Sequence, residues 1–589
     1  MKAIWNERPC SMEMLKQLCA TTKISPITLR VLYNRGINTE EKIKKFLDSN
    51  LMELHNPFLM KDMDKGVEIV KKSINNNEKI VIYGDYDADG VTSTVILYKA
   101  LTTCGANVDY YIPDREQEGY GMNLDRIEEL SKDNCNLILT CDNGISAVNE
   151  VRRVKELGMK IVVTDHHELP FTEEDYGRSV IMPEADAIIN PKRPDCNYPF
   201  KSLCGAGIAF KFATALYSIM GIKEAEVFKL LEFAGIGTIC DVVDLMDENR
   251  IIAKEALKIL THSENKGIKA LKEVIGIKDA VSCYHVGFNI GPCINATGRL
   301  QTANLSVDLL LSQDESEAKS IASEIYRLNK ERQDLTNSNV EAVCEIIESS
   351  SLKNHKVLVV YKKDMHESIA GIVAGRIREK YNVPTIILTE GKERPKGSGR
   401  SIDGYNMFEE ILKCKDLLFK FGGHPMAAGL SIDECKIDEF RNQLNENCIL
   451  TKEDLVPKVF VDSQLSLQYV NEQVVKEFKT LSPFGKGNPT PVLMAKNIKI
   501  KQIKFLGSEN QHVKILFYIP STAKTIEGVY FNKGEYTRTL LEECYGDNYM
   551  IFINAPSDLY MDLLFEPDIN EFNGHRNLQL KLKDIRILK

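Results

Sequence analysis

The chain has 589 residues, which is too long for one hydrophobic core and predicts three or four domains at roughly 100–200 residues each. Hydrophobic residues make up 43% and charged residues 27% of the sequence, a balance that excludes disordered and fibrous proteins. The formal net charge is −9, so no overall positive field attracts nucleic acid, and such binding requires a local basic surface.

Neither a membrane segment nor a disulfide framework is indicated. No apolar run approaches the roughly 18–20 residues that span a bilayer, and the first residues form no apolar signal segment. The 15 cysteines are odd in number and include no C-x-x-C pair, which favours reduced thiols. We therefore expect a soluble, cytoplasmic protein that makes no membrane contact.

The first 300 residues predict a helical segment followed by an α/β domain. Apolar residues at helical spacing indicate helices in residues 1–55. In residues 56–300, short apolar runs alternate with amphipathic stretches, and the runs at 80–83, 137–140 and 161–164 are apolar on both faces. Parallel strands covered by helices have this composition, so we expect a doubly wound parallel sheet.

The remaining sequence predicts three further segments. Residues 301–350 indicate a long polar helix that connects two lobes, and residues 351–450 alternate as a second α/β unit. Residues 451–589 are rich in β-branched residues and turn signals, which predicts a small β-barrel or sandwich.

Acids and histidines follow the predicted strands of the first α/β domain. In a doubly wound sheet, ligands bind at the carboxyl ends of the strands, so these side chains are expected to converge on one edge. They occupy four segments: Asp85, Asp87 and Asp89; Asp142; Asp165, His166 and His167; and Asp241, which follows an apolar stretch.

So many carboxylates require cations, because their charges repel one another. Carboxylates and imidazoles without a thiolate suit Mn²⁺ or Mg²⁺ better than zinc. Two such ions bridged by one carboxylate activate a water and clamp a phosphate. The residues therefore predict hydrolysis of phosphoesters or phosphoanhydrides with two Mn²⁺ or Mg²⁺ ions.

Two other interpretations of these acids compete with the metal site. The D-x-D-x-D-G pattern at 85–90 resembles a calcium loop, but it lacks the closing acid and follows a strand. Asp89 or Asp142 taken alone would also suit a helix N-cap. Their convergence with the other acids favours the metal site.

The motifs resemble those of a known superfamily. GDYDADG (84–90), TCDNG (140–144), TDHHE (164–168) and GTICD (237–241) resemble, in this order, the DHH phosphoesterases. Further motifs over nearly the whole chain resemble the RecJ family of 5′→3′ exonucleases specific for single-stranded DNA: PDREQEGYG (113–121), SLCGAGIAFK (202–211), IGPCINATGR (290–299), KGSGRSI (396–402), GGHPMAAG (422–429) and LSPFGKGNPTP (481–491).

The resemblance implies a role for each site residue. As metal ligands it implies Asp87, Asp89, Asp142, His166 and Asp241, with Asp142 as the bridge. Asp85 and His167 are close enough to bind metal, water or phosphate, so we add Asp85 to the metal ligands. Asp142, His166, His167 and His424 are the expected catalytic residues, and His424, flanked by glycines that allow close approach, is expected to contact the scissile phosphate.

Further residues are expected to bind the substrate. Ser398 and Arg400, on a glycine-punctuated turn, suit a terminal phosphate, and the resemblance implies that they read the 5′ end together with Arg115. It also implies that Asn295 and Arg299 hold the strand. Two departures are Cys293, where relatives commonly have arginine, and Met365, where they have an aromatic residue. Cys293 has no implied base beside it, which argues against a nucleophile.

The C-terminal segment resembles the oligonucleotide-binding barrel of the family. Six lysines but only one acid, Glu509, lie between residues 486 and 514. Lys499 and Lys501 alternate with isoleucines, which predicts that both ammonium groups share one strand face and track a nucleic-acid backbone. Phe484, Phe505 and Phe517 are expected either in the core or stacked on bases.

These observations favour a 5′→3′ exonuclease that releases mononucleotides from single-stranded DNA in recombination and repair. The resemblance implies a single-strand-binding protein and a RecQ-like helicase as partners. The alternative is a DHH phosphodiesterase that acts on short oligoribonucleotides or cyclic dinucleotides, but those relatives lack the barrel. A catalytically inactive scaffold is disfavoured, because it would have no reason to keep mutually repelling acids.

Overall fold

The computed structural model describes residues 3–174, 177–554, 559–572 and 575–588. The chain forms two compact units, of which the first contains residues 50–457 and the second contains residues 3–49 together with those from 458 onward. Within these described residues, none of the helices is both long and apolar enough to cross a membrane.

A five-stranded parallel sheet organises the first part of the first unit. Successive side chains along a strand point alternately into two separate hydrophobic cores: Ile80 and Ile82 belong to one core, whereas Val81 and Tyr83 belong to the other. Helices therefore cover both faces, which confirms the doubly wound parallel sheet. In spatial order the strands are Asn107–Tyr111, Lys79–Tyr83, Leu137–Thr140, Lys160–Thr164 and Ala187–Ile189.

Helices and one short hairpin surround this sheet. The hairpin strands are Phe171–Glu174 and Gly177–Val180. The helices are Met63–Asn75, Ala88–Thr103, Leu124–Lys132, Val148–Glu156, Gly205–Met220, Glu224–Phe228, Leu231–Cys240, Asp247–Thr261, Lys266–Ile275, Cys283–His285, the π-helical turn Val286–Ile290, Gly291–Leu300 and Asn304–Leu311, with short 3₁₀ turns at Leu51–Glu53 and Pro57–Leu59.

A single helix of 34 residues, Glu315–Glu348, links the two lobes of this unit. Asp314 caps its first turn by accepting hydrogen bonds from two backbone N–H groups. Near its start Ala322 packs into the core of the parallel sheet, and near its end Ile347 packs into the next core. The helix lies where the sequence predicted a connecting helix.

The second lobe contains a mixed five-stranded sheet. In spatial order the strands are Leu418–His424, Ala427–Ile432, Lys396–Arg400, Thr385–Thr389 and Leu358–Tyr361. Its main helices are Ala370–Tyr381, Met407–Leu412 and Ile437–Glu446. The prediction of a turn at KGSGR was wrong: these residues form a strand, because Ser398 pairs with Ile387 on one side and with Gly429 on the other.

The second unit contains a closed β-barrel, which confirms the predicted barrel. Five strands pair in a ring: Leu493–Leu506, His512–Ile519, Lys524–Tyr530, His575–Leu588 and Tyr560–Phe572, which returns to the first. Helices Met12–Thr22, Pro26–Asn34, Glu40–Asp48, Glu472–Thr480, Gly534–Tyr545 and Tyr549–Asn554 accompany it. The helical prediction for the N-terminal segment omitted the strand Ile4–Glu7, which pairs with Lys458–Val461.

The lysine-rich strand departs from the predicted alternation. Ile500 is buried and Lys501 is exposed as expected, and Lys499 is half-buried. A β-bulge lies between Ile500 and Gln502. It interrupts the alternation of side chains between the two faces of the strand, on which the prediction of one common face for Lys499 and Lys501 depended. Phe517 is fully buried, so it belongs to the core and is excluded as a base-stacking residue.

Candidate metal centre

The first acids of the site lie in the turn between the strand Lys79–Tyr83 and the helix Ala88–Thr103. Asp87 is the N-cap of that helix, and its Oδ1 accepts hydrogen bonds from the N–H groups of Asp89 at 2.8 Å and Gly90 at 3.0 Å. Asp87, and neither Asp89 nor Asp142, therefore caps this helix. The cap fixes the conformation of the loop and so the positions of the other carboxylates in it.

Seven predicted side chains come together at the carboxyl edge of the sheet. Asp142 Oδ1 lies 3.0 Å from His166 Nε2, and Asp241 Oδ2 lies 3.8 Å from His166 Nδ1. The ligand atoms form three groups in which they lie within 4.8 Å of one another: Asp85, Asp87 and Asp142; Asp142, His166 and His167; and Asp89, His166 and Asp241. Asp142 and His166 each belong to two of these groups, as residues shared between two neighbouring ions would.

Two carboxylate oxygens of this cluster lack the partners that buried charges need. Oδ1 of Asp85 and Oδ1 of Asp142 are buried and accept no hydrogen bond. Burial, followed by repulsion from neighbouring carboxylates, raises the pKa of both groups well above the ordinary range. The same causes raise the pKa of Asp89 to about 6 and of Asp241 to about 8. Such a donor set fits divalent cations, which would supply the missing positive charge.

His166 has the protonation state that a metal ligand needs. Burial, together with the neighbouring His167, lowers its pKa to about 3. The imidazole is therefore neutral near pH 7 and keeps a lone pair for an ion. Oxygen and imidazole ligands without a thiolate fit Mn²⁺ or Mg²⁺.

Asp165 positions the cluster without belonging to the three ligand groups. Its Oδ1 lies 2.8 Å from Nδ1 of His167, and its Oδ2 accepts a hydrogen bond from the Ile145 N–H. Although burial opposes both shifts, this pair holds the pKa of Asp165 at about 2 and raises that of His167 to about 9. The sequence analysis predicted no role for Asp165, although its place as the first residue of the D-H-H triplet could have indicated one.

The start of the helix Gly205–Met220 fixes Asp89. The N–H groups of Gly205 and Ala206 donate to the two carboxylate oxygens of Asp89 at 2.7 and 2.8 Å, where the helix dipole favours a negative charge. A Cβ atom at Gly205 would lie 2.6 Å from Cβ of Asp142. The motif at 202–211 stood out in the sequence, but its contact with two acids was not predicted.

Two of the three residues predicted to bind the 5′ phosphate line a cavity of about 470 Å³ in the first unit. Arg115 and Ser398 are among its lining residues, with Tyr86 and Tyr120 beside them. Nη1 of Arg400 donates to Oγ of Ser398 at 3.2 Å. Burial, followed by the positive charge of Arg115, lowers the pKa of Arg400, and this concentration of positive charge suits an anion.

Other predicted substrate residues have defined partners. Arg299 donates to the backbone carbonyl of Ser368, and burial and neighbouring arginines lower its pKa to about 9. The amide oxygen of Asn295 accepts a hydrogen bond from the Ala88 N–H at 2.8 Å, so this oxygen supports the metal-binding loop. His424 ends its strand as an exposed residue, although partial burial of its imidazole and the charge of His167 lower its pKa.

The two departures from the family pattern are buried. Met365 is part of the second lobe's core. Cys293 accepts a hydrogen bond from Nδ2 of Asn329 at 3.4 Å, and Asn329 in turn holds the guanidinium of Arg332. Burial raises the pKa of the Cys293 thiol to about 12, which agrees with the exclusion of a nucleophile. Arg332 was not among the residues predicted from the sequence.

Comparison with known proteins gives matches over most of the chain. The family models described as "DHH family, N-terminal domain", "DHHA1 domain" and "RecJ OB domain" match residues 79–238, 354–449 and 461–584. The single-stranded-DNA-specific exonuclease RecJ of Bacillus subtilis (strain 168) is 37% identical over 100% of this chain and 71% of its own length. This chain belongs to the RecJ family. The RecJ of Escherichia coli (strain K12) is 32% identical over 96% of each chain.

A solved RecJ structure has the same fold. The crystal structure of RecJ in complex with Mn²⁺ from Thermus thermophilus matches with a TM-score of 0.82 and 26% identity, over 100% of this chain and 80% of that one. The family assignment and the barrel are therefore confirmed, whereas the predicted domain boundaries and the role of each site residue stay predictions.

Replacing Gly205 with alanine is expected to impair the metal centre of this RecJ-family protein. Because the new Cβ would meet Asp142, kcat/KM for single-stranded DNA should fall by about 10- to 100-fold, as when supporting residues of metal ligands are lost. The Mn²⁺ concentration for half-maximal activity should rise. Gly207→Ala is the control, because its Cβ would meet the flexible Leu203 side chain. Equal metal dependence of the two variants would refute this role.

Proposed function

We propose that this RecJ-family protein is a metal-dependent 5′→3′ exonuclease that degrades single-stranded DNA to mononucleotides. The observation that carries the proposal is the buried cluster in which Asp142 and His166 are each shared by two ligand groups. The names of the Bacillus subtilis and Escherichia coli relatives support the substrate. The Mn²⁺ complex of the Thermus thermophilus relative supports the metal.

The ligand groups suggest how the side chains divide between two ions. Asp85, Asp87 and Asp142 would hold one ion, and Asp89, His166 and Asp241 would hold the other, with Asp142 between them. When bound, two Mn²⁺ or Mg²⁺ ions would activate a water and stabilise the negative charge of the reacting phosphate.

The remaining residues of the centre orient a histidine ring and hold its protons. Asp165 keeps the His167 ring in one orientation through Nδ1, and the Tyr120 hydroxyl lies 3.2 Å from Nε2 of the same ring. The pair with Asp165 raises the pKa of His167 in the metal-free protein, against the effect of burial, and a protonated imidazole at this place would donate to a phosphate oxygen. His424 would approach the phosphate from the second lobe.

The cavity beside the metal centre would receive the 5′ terminus. A terminal phosphate carries more negative charge than an internal one, and Arg115, Ser398 and Arg400 offer two guanidiniums and a hydroxyl for it. Holding the end of the strand there would set the polarity of digestion. Asn295 and Arg299 would contact the following backbone, and Lys499 and Lys501 of the barrel would bind nucleic-acid backbone as well.

Replacing Arg400 with glutamine is expected to remove the preference for a 5′-phosphate. Loss of a charged hydrogen-bonding partner should raise KM for a 5′-phosphorylated strand by about 10-fold or more, while KM for a 5′-hydroxyl strand changes little. Steady-state kinetics on the two substrates measures this. The control is Arg394→Gln, which removes an ion pair with Asp433. Retained selectivity in Arg400→Gln would place the 5′ end elsewhere.

The cellular setting is part of the same proposal. An enzyme of this kind would act in the cytoplasm on strands exposed during recombination and repair. A single-strand-binding protein would present the strand, and a RecQ-like helicase would generate it.

Digestion of an end-labelled strand tests the proposed function. A DNA oligonucleotide labelled at the 5′ or the 3′ end is incubated with Mn²⁺ or with EDTA, beside its duplex and an RNA copy. The proposal predicts stepwise release of mononucleotides from the 5′ end of single-stranded DNA, and only with metal. Inactivity on DNA with cleavage of short oligoribonucleotides or cyclic dinucleotides would instead favour the short-substrate phosphodiesterase.

A further inference from the structure

Two exposed aromatic side chains stack on each other at the surface of the first unit. Phe288 is 68% and Tyr284 is 64% exposed. Their ring centroids lie 5.1 Å apart, with 24° between the ring planes. We call this pair the aromatic platform. Exposed apolar faces of this size gain free energy when a ligand covers them, so the platform is a candidate binding surface.

A wide helical turn displays the platform. Tyr284 lies on the short helix Cys283–His285, and Phe288 lies on the π-helical turn Val286–Ile290, which continues directly into the helix Gly291–Leu300. A π turn accommodates an extra residue and recurs at functional sites. Here it brings two residues four positions apart into contact on one exposed face.

The other side of the same turn packs against the segment that leads to a candidate metal ligand. The carbonyl of Val286 lies 3.9 Å from Sγ of Cys240, the residue that directly precedes the candidate ligand Asp241. Gly291 permits this approach, because a Cβ atom there would overlap the Cys240 sulfur. Val242, which follows Asp241, is itself 58% exposed. The platform is therefore supported by the segment that carries a metal ligand.

The helix that follows the platform contacts the loop that carries Asp87 and Asp89. Asn295 contacts the N–H of Ala88, between Asp87 and Asp89, and at 1.5 Å per residue it lies about 10 Å along the helix from Phe288. Arg299 continues the same helix and supplies a positive charge. One continuous element thus carries an aromatic surface, a contact to the metal-binding loop and a cation for a phosphate.

The geometry points to a nucleic-acid base as the occupant, and this inference rests on the proposed function. We propose that Tyr284 and Phe288 stack a base of the single strand whose phosphate lies at the metal centre. Aromatic rings stack on bases without sequence preference, as an exonuclease requires. Two side chains supply at most about 500 Å², less than the roughly 800 Å² per partner of a stable protein interface, which disfavours a second protein as the occupant.

The double variant Tyr284→Ala/Phe288→Ala tests the inference in the full-length chain. Loss of base stacking should weaken binding of a fluorescent single strand in EDTA by about 5- to 100-fold and raise KM similarly in Mn²⁺, with little change in kcat. Tyr284→Phe/Phe288→Tyr should restore both values. The control is Phe58→Ala, at an exposed aromatic of the separate turn Pro57–Leu59.

Abasic strands identify the contact more directly. A strand with one abasic residue, moved position by position, should bind the wild type weakly at one position, and the double variant should bind all these strands alike. Unchanged affinity and an unchanged abasic profile in the double variant would overturn the inference. So would a shift from dimer to monomer in sedimentation with unaltered strand affinity, because a second copy would then cover the platform.

The binding measurement also separates this inference from the proposed function. Weaker strand binding by the double variant supports the platform even if the wild type fails to hydrolyse DNA, which would contradict only the exonuclease proposal. Normal hydrolysis by the wild type with unaltered binding by the double variant would contradict only the platform.

Discussion

Replacing Asp142 with asparagine is expected to lower kcat/KM for single-stranded DNA by about 1,000-fold, which corresponds to about 4 kcal/mol of transition-state stabilisation. Asp142 belongs to the group proposed for one ion, and its Oδ1 lies 3.0 Å from Nε2 of His166 in the group proposed for the other, so its loss would disturb both ions. Strand affinity should change little, because the proposed strand contacts lie on other side chains. Initial rates and equilibrium strand binding measure the two quantities.

The same substitution is not expected to lower the thermal stability of the metal-free protein, although it lowers activity. In EDTA, Asp142→Asn should melt at the wild-type temperature or above it, because the substitution removes an acid whose ionised form is opposed by burial and by the neighbouring carboxylates. The rise in melting temperature that Mn²⁺ produces in the wild type should largely disappear. Asp438→Asn is the control, because it removes only a surface ion pair with Arg441. Full activity, or a normal Mn²⁺ response, in Asp142→Asn would contradict its bridging role.

Removing the metal is expected to abolish hydrolysis and to make stability depend on pH in an unusual direction. In the folded protein the pKa is about 6 for Asp89 and about 8 for Asp241, against about 3.9 for an unfolded aspartate. The folded state therefore binds protons more tightly than the unfolded state. Its stability from these groups is fully present below about pH 4 and is lost as the pH rises to about 8.

Thermal melting between pH 5 and 8 measures this effect. In EDTA the melting temperature should fall across the range, and Asp241→Asn should reduce the slope. The melting temperature in Mn²⁺ should exceed that of the metal-free protein by an amount that grows with pH, because ions bind the deprotonated ligands. A metal-free melting temperature that is constant or rises from pH 5 to 8 would contradict the electrostatic account of the cluster.

Much of the centre was predictable because it depends on local patterns. Parallel strands buried on both faces are recognisable from their apolar runs, and their carboxyl ends meet at one edge. The convergence of Asp85, Asp142 and His166 follows from these two rules. Asp241 differs: it was grouped with them because an apolar stretch precedes it, but that stretch is the helix Leu231–Cys240 and not a strand.

What the sequence did not show depends on contacts between distant segments. The donation from Gly205 to Asp89 joins residues 116 positions apart, and no local pattern encodes it. The two glycines of KGSGR favour a turn because glycine is a poor strand former, but pairing with a strand on each side overrides that preference. The bulge beside Lys501 likewise depends on the register with the neighbouring strand.

The central claim is that the cluster of aspartates and histidines is a two-metal centre bridged by Asp142. Anomalous diffraction from crystals of the full-length protein soaked in Mn²⁺ tests it most directly. The account predicts two peaks about 3.5–4 Å apart, one beside Asp85 and Asp87, the other beside Asp89 and Asp241, with Asp142 contacting both. A single peak, or peaks away from Asp142, would contradict it.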